Sequence, residues 1–299
     1  MPMYNSQHTI VRALESIEVQ SVLPEVVIII DDGSKDQSIS VVQAYKRDSS
    51  LNIKILTQNN SGPSSARNKG INAASEFLIS FLDADDEWHP LKIEKQLEFF
   101  LKKSQTSQVG LVECYMTDVC GDIEIKRNTP TLSGHHFPDF ISSNVIKGTP
   151  CVMVPKHILE SYGGFDESLR FSEDRMLWSL IAADYEIFTV PEFLVIRHFG
   201  YEGNITNNPA KNYKYKKEFI KKFISQFSNS LSKKDIIEFK LSNMYDFMTV
   251  FYKKKDYHNC VECYTDMIST SYSTLYYKRF YPLIKFLVSY VMTVIKSEK

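Results

Sequence analysis

Two apolar runs, each stopping at a cluster of acids, constrain this chain more than any other feature. Val26 to Ile30 is an unbroken, largely β-branched run that ends in Asp31-Asp32-Gly33-Ser34, and Phe77 to Leu82 ends in Asp83-Ala84-Asp85-Asp86. A run without polar alternation suits a strand buried on both faces, which soluble proteins achieve in parallel sheets covered by helices. Ile53 to Leu56 adds a short strand. Helical spacing fills the gaps. Ile10, Leu14 and Ile17 predict a first helix, with Asn5 or Ser6 available to cap the turn before it, and Asp36 caps a second that reaches about Arg47. Gly62-Pro63 opens a small-residue helix over 64–74, and Ile93, Leu97, Phe100 and Leu101 mark another over 90–101.

The order is alternating β and α, so the expected fold class is α/β, a mostly parallel sheet flanked by helices on both faces. Ligands of such sheets bind beyond the carboxyl ends of the strands, and both acidic clusters fall there. Residues 109–155 read as short strands and loops in no legible order. Gly163-Gly164-Phe165-Asp166 makes a turn, after which Glu173-Asp174 opens a helix over 174–183 with Leu177, Leu180 and Ile181 inward; a last run, Phe193 to Ile196, leads to Arg197-His198.

Composition excludes several classes. With 299 residues, 43% hydrophobic and 24% charged, the chain has the make-up of a globular protein rather than a disordered or collagen-like one. No stretch approaches the roughly 18 apolar residues of a membrane-spanning helix. Met1-Pro2-Met3-Tyr4 lacks the basic start and apolar run of a secretory leader, so a cytoplasmic location is expected. Cys114, Cys120, Cys151, Cys260 and Cys263 are odd in number and irregularly spaced, which points to reduced packing thiols. Charge divides the chain. Residues 1–210 carry 18 basic and 28 acidic side chains, a net of -10, whereas 211–299 carry 17 and 8, a net of +9. The acidic part suits metal or hydroxyl chemistry rather than nucleic-acid binding, and the basic part suits an anionic surface.

Asp83 and Asp85 at a strand end offer hard oxygen ligands of the kind that hold magnesium or manganese beside phosphates. Taken in order, Pro2-Met3-Tyr4-Asn5, the Asp-Asp-Gly-Ser turn, Asn60-Ser61-Gly62 through Ala66-Arg67-Asn68-Lys69-Gly70, Phe81-Leu82-Asp83-Ala84-Asp85-Asp86, and Gly163-Gly164-Phe165-Asp166 followed by Glu173-Asp174 and Leu177-Trp178 resemble a family 2 glycosyltransferase of GT-A fold. The resemblance spans roughly residues 2–206. It implies an inverting hexosyltransferase that takes a sugar from a nucleotide-diphospho-sugar, a UDP-sugar, to a saccharide or lipid-linked saccharide acceptor in surface polysaccharide or glycan synthesis.

The same resemblance distributes roles. Asp32, with Asp31, would bond the nucleobase, Tyr4 would stack near it, Arg67 would border the nucleotide and Asp83 would contact ribose or metal. Asp85 would hold a divalent cation, Mn2+ or Mg2+, with Asp83 and His198 as further ligands. Asp174 is the candidate general base, since an attacking hydroxyl must lose its proton. Glu173 and Trp178 would face the acceptor. Leu180 stands where the family usually has Arg, and the family's first strand precedes the turn at which this chain begins, so that strand is expected upstream of residue 1 or missing. Two rival readings are a nucleotide-sugar-binding protein without turnover and a haloacid dehalogenase-like phosphatase, against which Glu87-Trp88 stand in place of a small hydroxyl residue.

The division expected is a transferase domain over 1–208 and a basic helical region over 209–299. In the latter, Ile237, Leu241, Met244, Met248 and Phe251 form one stripe. In its last segment Phe280, Ile284, Leu287, Val291 and Val294 share a face, with Lys278, Arg279, Lys285 and Lys296 available to the other. Such a helix suits peripheral attachment to the inner face of a membrane as well as packing on the domain.

Overall fold

The first half of the chain alternates as its apolar runs dictate: β1 (Pro2–Met3), α1 (Ile10–Glu18), β2 (Val27–Asp31), α2 (Ser38–Asp48), β3 (Ile53–Thr57), α3 (Pro63–Ala73), β4 (Leu78–Ser80), β5 (Glu87–Trp88) and α4 (Lys92–Lys103). Then come β6 (Val109–Cys120), β7 (Ile123–Arg127), β8 (Ser133–Gly134), α5 (Asp139–Ser142), β9 (Met153–Pro155), α6 (Lys156–Ser161), α7 (Glu173–Asp184) and β10 (Glu186–His198). The described residues end with α8 (Pro209–Gln226), α9 (Lys233–Lys253), α10 (Tyr257–Thr270) and α11 (Tyr281–Ser297). The computed structural model describes residues 1–127, 130–199, 208–271 and 281–297, excluding the side chains of 281 and 294–297. Lys278, Arg279 and Phe280, and the side chains of Val294 and Lys296, lie outside the described residues.

β1, β2 and β3 form a parallel sheet in the order β1-β2-β3, with Pro2 opposite Ile30 and Val27 opposite Ile53. The second sheet runs β4-β9-β6-β10-β5 and is mixed: β6 and β10 are parallel, and the other pairs antiparallel. Pro2–Met3 lies beside β2, with Met3 opposite Asp31. An apolar cavity of about 410 Å³ lies between the sheets, lined among others by Ile28 of β2, Ile79 of β4, Ile71, Phe100 and Met153. The core of this part gathers Met3, Leu14, Ile29, Trp88, Val112, Met153 and Val195, all under a tenth exposed.

The stretch that the sequence left unordered holds the long strand β6. Its periodicity is masked because it is buried on both faces and carries buried charges, Glu113 and Asp118. β10 is likewise longer than its legible run, since Pro191-Glu192 interrupts it at a register shift between Val190 and Phe193. The turn before α1 closes on Ser6, whose carbonyl accepts the Thr9 and Ile10 amides at 3.0 Å. Asn5 adopts a φ of 49° and its side-chain oxygen accepts the Lys35 amide at 2.8 Å.

Two units divide the chain. The α/β unit holds 1–137, 145–168 and 173–201; the helical unit holds 202–299 together with Pro138–Asn144 and Leu169–Ser172, so it is not one continuous C-terminal piece. Its core collects Tyr213, Leu241, Met248, Phe251, Cys260, Cys263, Tyr264 and Met267, the stripe the spacing predicts. The Cys263 thiol donates to the Met244 carbonyl at 3.0 Å, as a packing cysteine does.

One carboxylate fastens the front of the α/β unit. Glu18, at the end of α1, accepts from the Tyr45 hydroxyl, from Ser49 Oγ at 2.7 Å and from the Ser50 amide at 2.8 Å. The hydrogen bonds of Tyr45, Ser49 and Ser50 lower its pKa from 4.5 to about 2. Being lowered on folding, the group stabilises fully above its unfolded value and loses this as pH falls toward 2. Glu18→Gln should cost about 1 kcal/mol at pH 7, and urea denaturation should show that deficit shrinking as the pH is lowered below 4.5.

Candidate active site

The turn after β2 is built around its two acids. The Asp31 carboxylate accepts from the Ser34 amide at 3.3 Å and closes its own turn. Asp32, 4% exposed, reaches across to the loop after β3: its carboxylate accepts from Gln58 Nε2, the Ser61 amide and the Gly62 amide, each at 2.8 Å. Gly33 sits at φ 77°, where a Cβ would stand 3.0 Å from the Asn60 amide nitrogen. Tyr4, by contrast, is half exposed on the neighbouring loop. Asp31 and Asp32 are thus already occupied by protein donors, and of the four acceptor positions on Asp32 three are filled.

Gly62 is the residue flanking α3, which Pro63 opens, so Asp32 fixes the helix at its start. Five residues on, Arg67 is buried in the second turn. Its NH2 donates to Asp83 Oδ1 at 2.8 Å and its NH1 to Glu173 Oε1 at 3.3 Å, and its guanidinium lies 5.4 Å from the Phe165 ring centre. One cation therefore joins the acid after β4 to the acid that starts α7. Burial alone would lower the Arg67 pKa, but the charges of Asp83 and Glu173 hold it above the ordinary value. Glu173 is raised, by burial first and by the adjacent Asp174 second. Asp174 is half-buried in the first turn of α7, with Oδ1 accepting the Arg175 amide at 2.7 Å.

The third part is the acidic loop between β4 and β5. Burial and the charge of Asp83 raise the Asp85 pKa. Asp86 is pushed up to about 9 by burial and then by Asp83 and Asp85, while its Oδ1 accepts the His198 amide at 3.2 Å. His198 Nε2 pairs with Glu87, which also pairs with Arg12 at 3.2 Å. Asp83, Asp85 and Asp86 come together, but Asp83 turns to Arg67 and His198 to Glu87; among the described residues no three His, Cys, Asp or Glu side chains are arranged to hold a metal.

Trp178 is not an acceptor-side residue. It is 0% exposed, because it lies one turn into α7 and packs with Phe81 and Phe165 in an aromatic cluster, 5.7 Å from the latter. Its place is under the site, where Phe165 in turn meets Arg67. Asn68, quoted in the motif but given no role there, holds the next turn. Its Oδ1 accepts the Phe165 amide at 2.7 Å and its Nδ2 donates to the Phe165 carbonyl at 2.8 Å, which clips the Gly-Gly-Phe turn to α3. Its position beside Arg67 was the available signal.

Residues 1–119 match the family model described as glycosyl transferase family 2. An uncharacterized glycosyltransferase of Rickettsia felis is 33% identical over 193 residues, which are 62% of this chain and 30% of that protein; the chain spans under a third of it. Escherichia coli WfgD, named a UDP-Glc:alpha-D-GlcNAc-diphosphoundecaprenol beta-1,3-glucosyltransferase, is 27% identical over 231 residues, 75% of this chain and 85% of that one. In fold the chain is similar to residues 1–349 of S. aureus TarS, crystallised with UDP-GlcNAc, with a TM-score of 0.68 over 97% of this chain and 87% of that one at 18% identity. The α/β architecture expected from the sequence is the one observed.

The clip between Asn68 and the Gly-Gly-Phe turn gives a sharp test. Gly164 has φ 75°, and a Cβ there would stand 2.3 Å from Asn68 Oδ1. Gly164→Ala should cost about 2 kcal/mol or more in urea denaturation. Combined with Asn68→Ala it should cost less than the two single changes added, because the second removes the clashing atom.

Proposed function

We propose that this chain, a member of glycosyl transferase family 2 through residues 1–119, moves a hexosyl group from a UDP-sugar to an acceptor hydroxyl with inversion at the anomeric carbon. The observation that carries this reading is the meeting of Asp83 and Glu173 on Arg67, with Asp174 beside them at the start of α7. It joins a strand-end acid suited to a nucleotide diphosphate with a helix-start acid suited to a hydroxyl, within reach of one bound substrate.

The chemistry follows from these positions. The acceptor oxygen forms a bond to the anomeric carbon as the bond from that carbon to the diphosphate oxygen breaks, and UDP leaves with the electron pair. The acceptor proton goes to the Asp174 carboxylate. Glu173, tied to Arg67, cannot swing away and fixes the acceptor side. Tyr4, Asp31 and Asp32 edge the nucleoside position, with Asp32 acting through the Ser61-Gly62 backbone that it holds.

A divalent cation, manganese or magnesium, fits the acidic loop. Asp85 and Asp86 are held above the usual carboxylate range by burial and by repulsion from neighbouring acids, a repulsion that such an ion would relieve. Asp85 and the free oxygen of Asp83 would hold it, and the bound ion would stabilise charge on the leaving diphosphate. His198, engaged by Glu87, would orient this loop rather than bind the ion.

WfgD is named for a UDP-glucose donor and TarS was crystallised with UDP-GlcNAc, which supports a UDP-sugar. The WfgD name likewise supports a lipid-linked saccharide acceptor in surface glycan synthesis. With UDP-glucose or UDP-GlcNAc and manganese, Asp174→Asn should lower sugar transfer by about 10²–10⁴-fold and leave UDP binding, read as thermal stabilisation, unchanged. A variant that keeps most of its turnover would overturn the assignment of the base. No stabilisation of the unaltered chain by any UDP-sugar would overturn the donor.

A further inference from the structure

The helical unit carries a helix that is apolar on both sides. One face of α11 is committed to the unit's own core: Leu283 and Phe286 pack into it, Phe286 stacks on Tyr264 at 4.6 Å, and Ser289 is fully buried. The opposite face holds Ile284, Leu287, Val288 and Val291, spaced as one stripe, with Tyr290 at its edge. Ile284 is 53% exposed, Leu287 52% and Val291 53%. Tyr281–Ser297 contains no Asp or Glu. A surface helix normally turns charge outward, so an uncharged outward stripe on a helix that is already packed marks a binding surface.

Charge at one end of the stripe identifies the partner. Lys285, next to Ile284, donates through Nζ to Thr249 Oγ1 at 2.7 Å, which aligns the start of α11 with the last turn of α9. Lys253, Lys254 and Lys255 follow about one turn beyond Thr249 and are all exposed. Among the described residues no carboxylate forms an ion pair with them. Three exposed lysines without ion pairs at the end of the helix that α11 is tied to, together with the apolar stripe, match the interface of an anionic bilayer. At 17 residues α11 is ~26 Å long, short of the roughly 30 Å hydrocarbon core. No helix among the described residues is long and apolar enough to cross a membrane. The geometry therefore points to α11 lying in the plane of an anionic membrane surface, its outer stripe among the acyl chains and Lys253–255 among the headgroups. This surface lies wholly in the helical unit and does not rest on the transferase reading.

Flotation of the full chain with vesicles tests it. Binding to phosphatidylcholine vesicles containing phosphatidylglycerol should exceed binding to phosphatidylcholine alone by about tenfold or more, and should weaken as salt is raised. Leu287→Asp with Val291→Asp should lower the partition coefficient by about tenfold or more, with helix content and melting temperature unchanged. Ile284→Ser with Val288→Ser serves as a second pair if the first fails to fold. Changing Lys253, Lys254 and Lys255 to Gln should remove the preference for the anionic lipid. Equal partitioning of the unaltered chain and the stripe variants would overturn the proposal. So would a dimer, seen by light scattering, that the stripe substitutions turn into a monomer.

Discussion

The buried guanidinium of Arg67 is the interaction on which the α/β unit's functional edge depends. A desolvated cation is tolerable only with charge and hydrogen bonds around it, and Arg67 finds both in carboxylates that come from segments 16 and 106 residues away. The dependence runs both ways. Asp83 and Glu173 stand in a crowd of acids that repel one another, and without a cation between them the loop after β4 and the start of α7 would have electrostatic reason to separate. The Phe165 ring beneath the guanidinium excludes water and strengthens each of these attractions.

α3 transmits that constraint. Its start is bound by Asp32 through the Gly62 amide, its second turn carries Arg67, and the next residue, Asn68, clips the Gly-Gly-Phe turn that leads toward α7. From Gly62 to Arg67 is about 7.5 Å along the helix, so a single short rigid element sets the spacing between the acid after β2 and the pair after β4 and before α7.

Most of the acidic framework was legible because it sits at ends of apolar runs, where strand burial and loop polarity change abruptly. Asp83 and Asp85 were readable as candidates for this reason, whereas Glu173 and Asp174 were legible as a helix start and the helix through Arg67 from Gly62-Pro63. What a linear reading could not supply was direction. Trp178 follows Asp174 by four residues, on the same helical face, yet points into an aromatic cluster; nothing in the spacing tells an inward Trp from an outward one. Asp32 reads as a free carboxylate beside a loop, and only the folded loop, through the Gln58 side chain and the Ser61 and Gly62 amides, shows it spent on holding that loop. β6 was illegible because Glu113 and Asp118 are buried within it, which breaks the apolar pattern that a buried strand is expected to show.

Arg67 and its two acids act as one unit, and a double-mutant cycle reads that directly. Unfolding free energies would be measured by urea titration for Arg67→Met, Glu173→Gln and the double variant. Arg67→Met leaves Glu173 and Asp83 without their cation and should cost about 3 kcal/mol or more, whereas Glu173→Gln leaves Asp83 on the guanidinium and should cost less. The double change should cost less than the two added, by about 1 kcal/mol or more. Strict additivity would mean that Arg67 and Glu173 do not depend on each other, and the convergence on which the site is built would be contradicted.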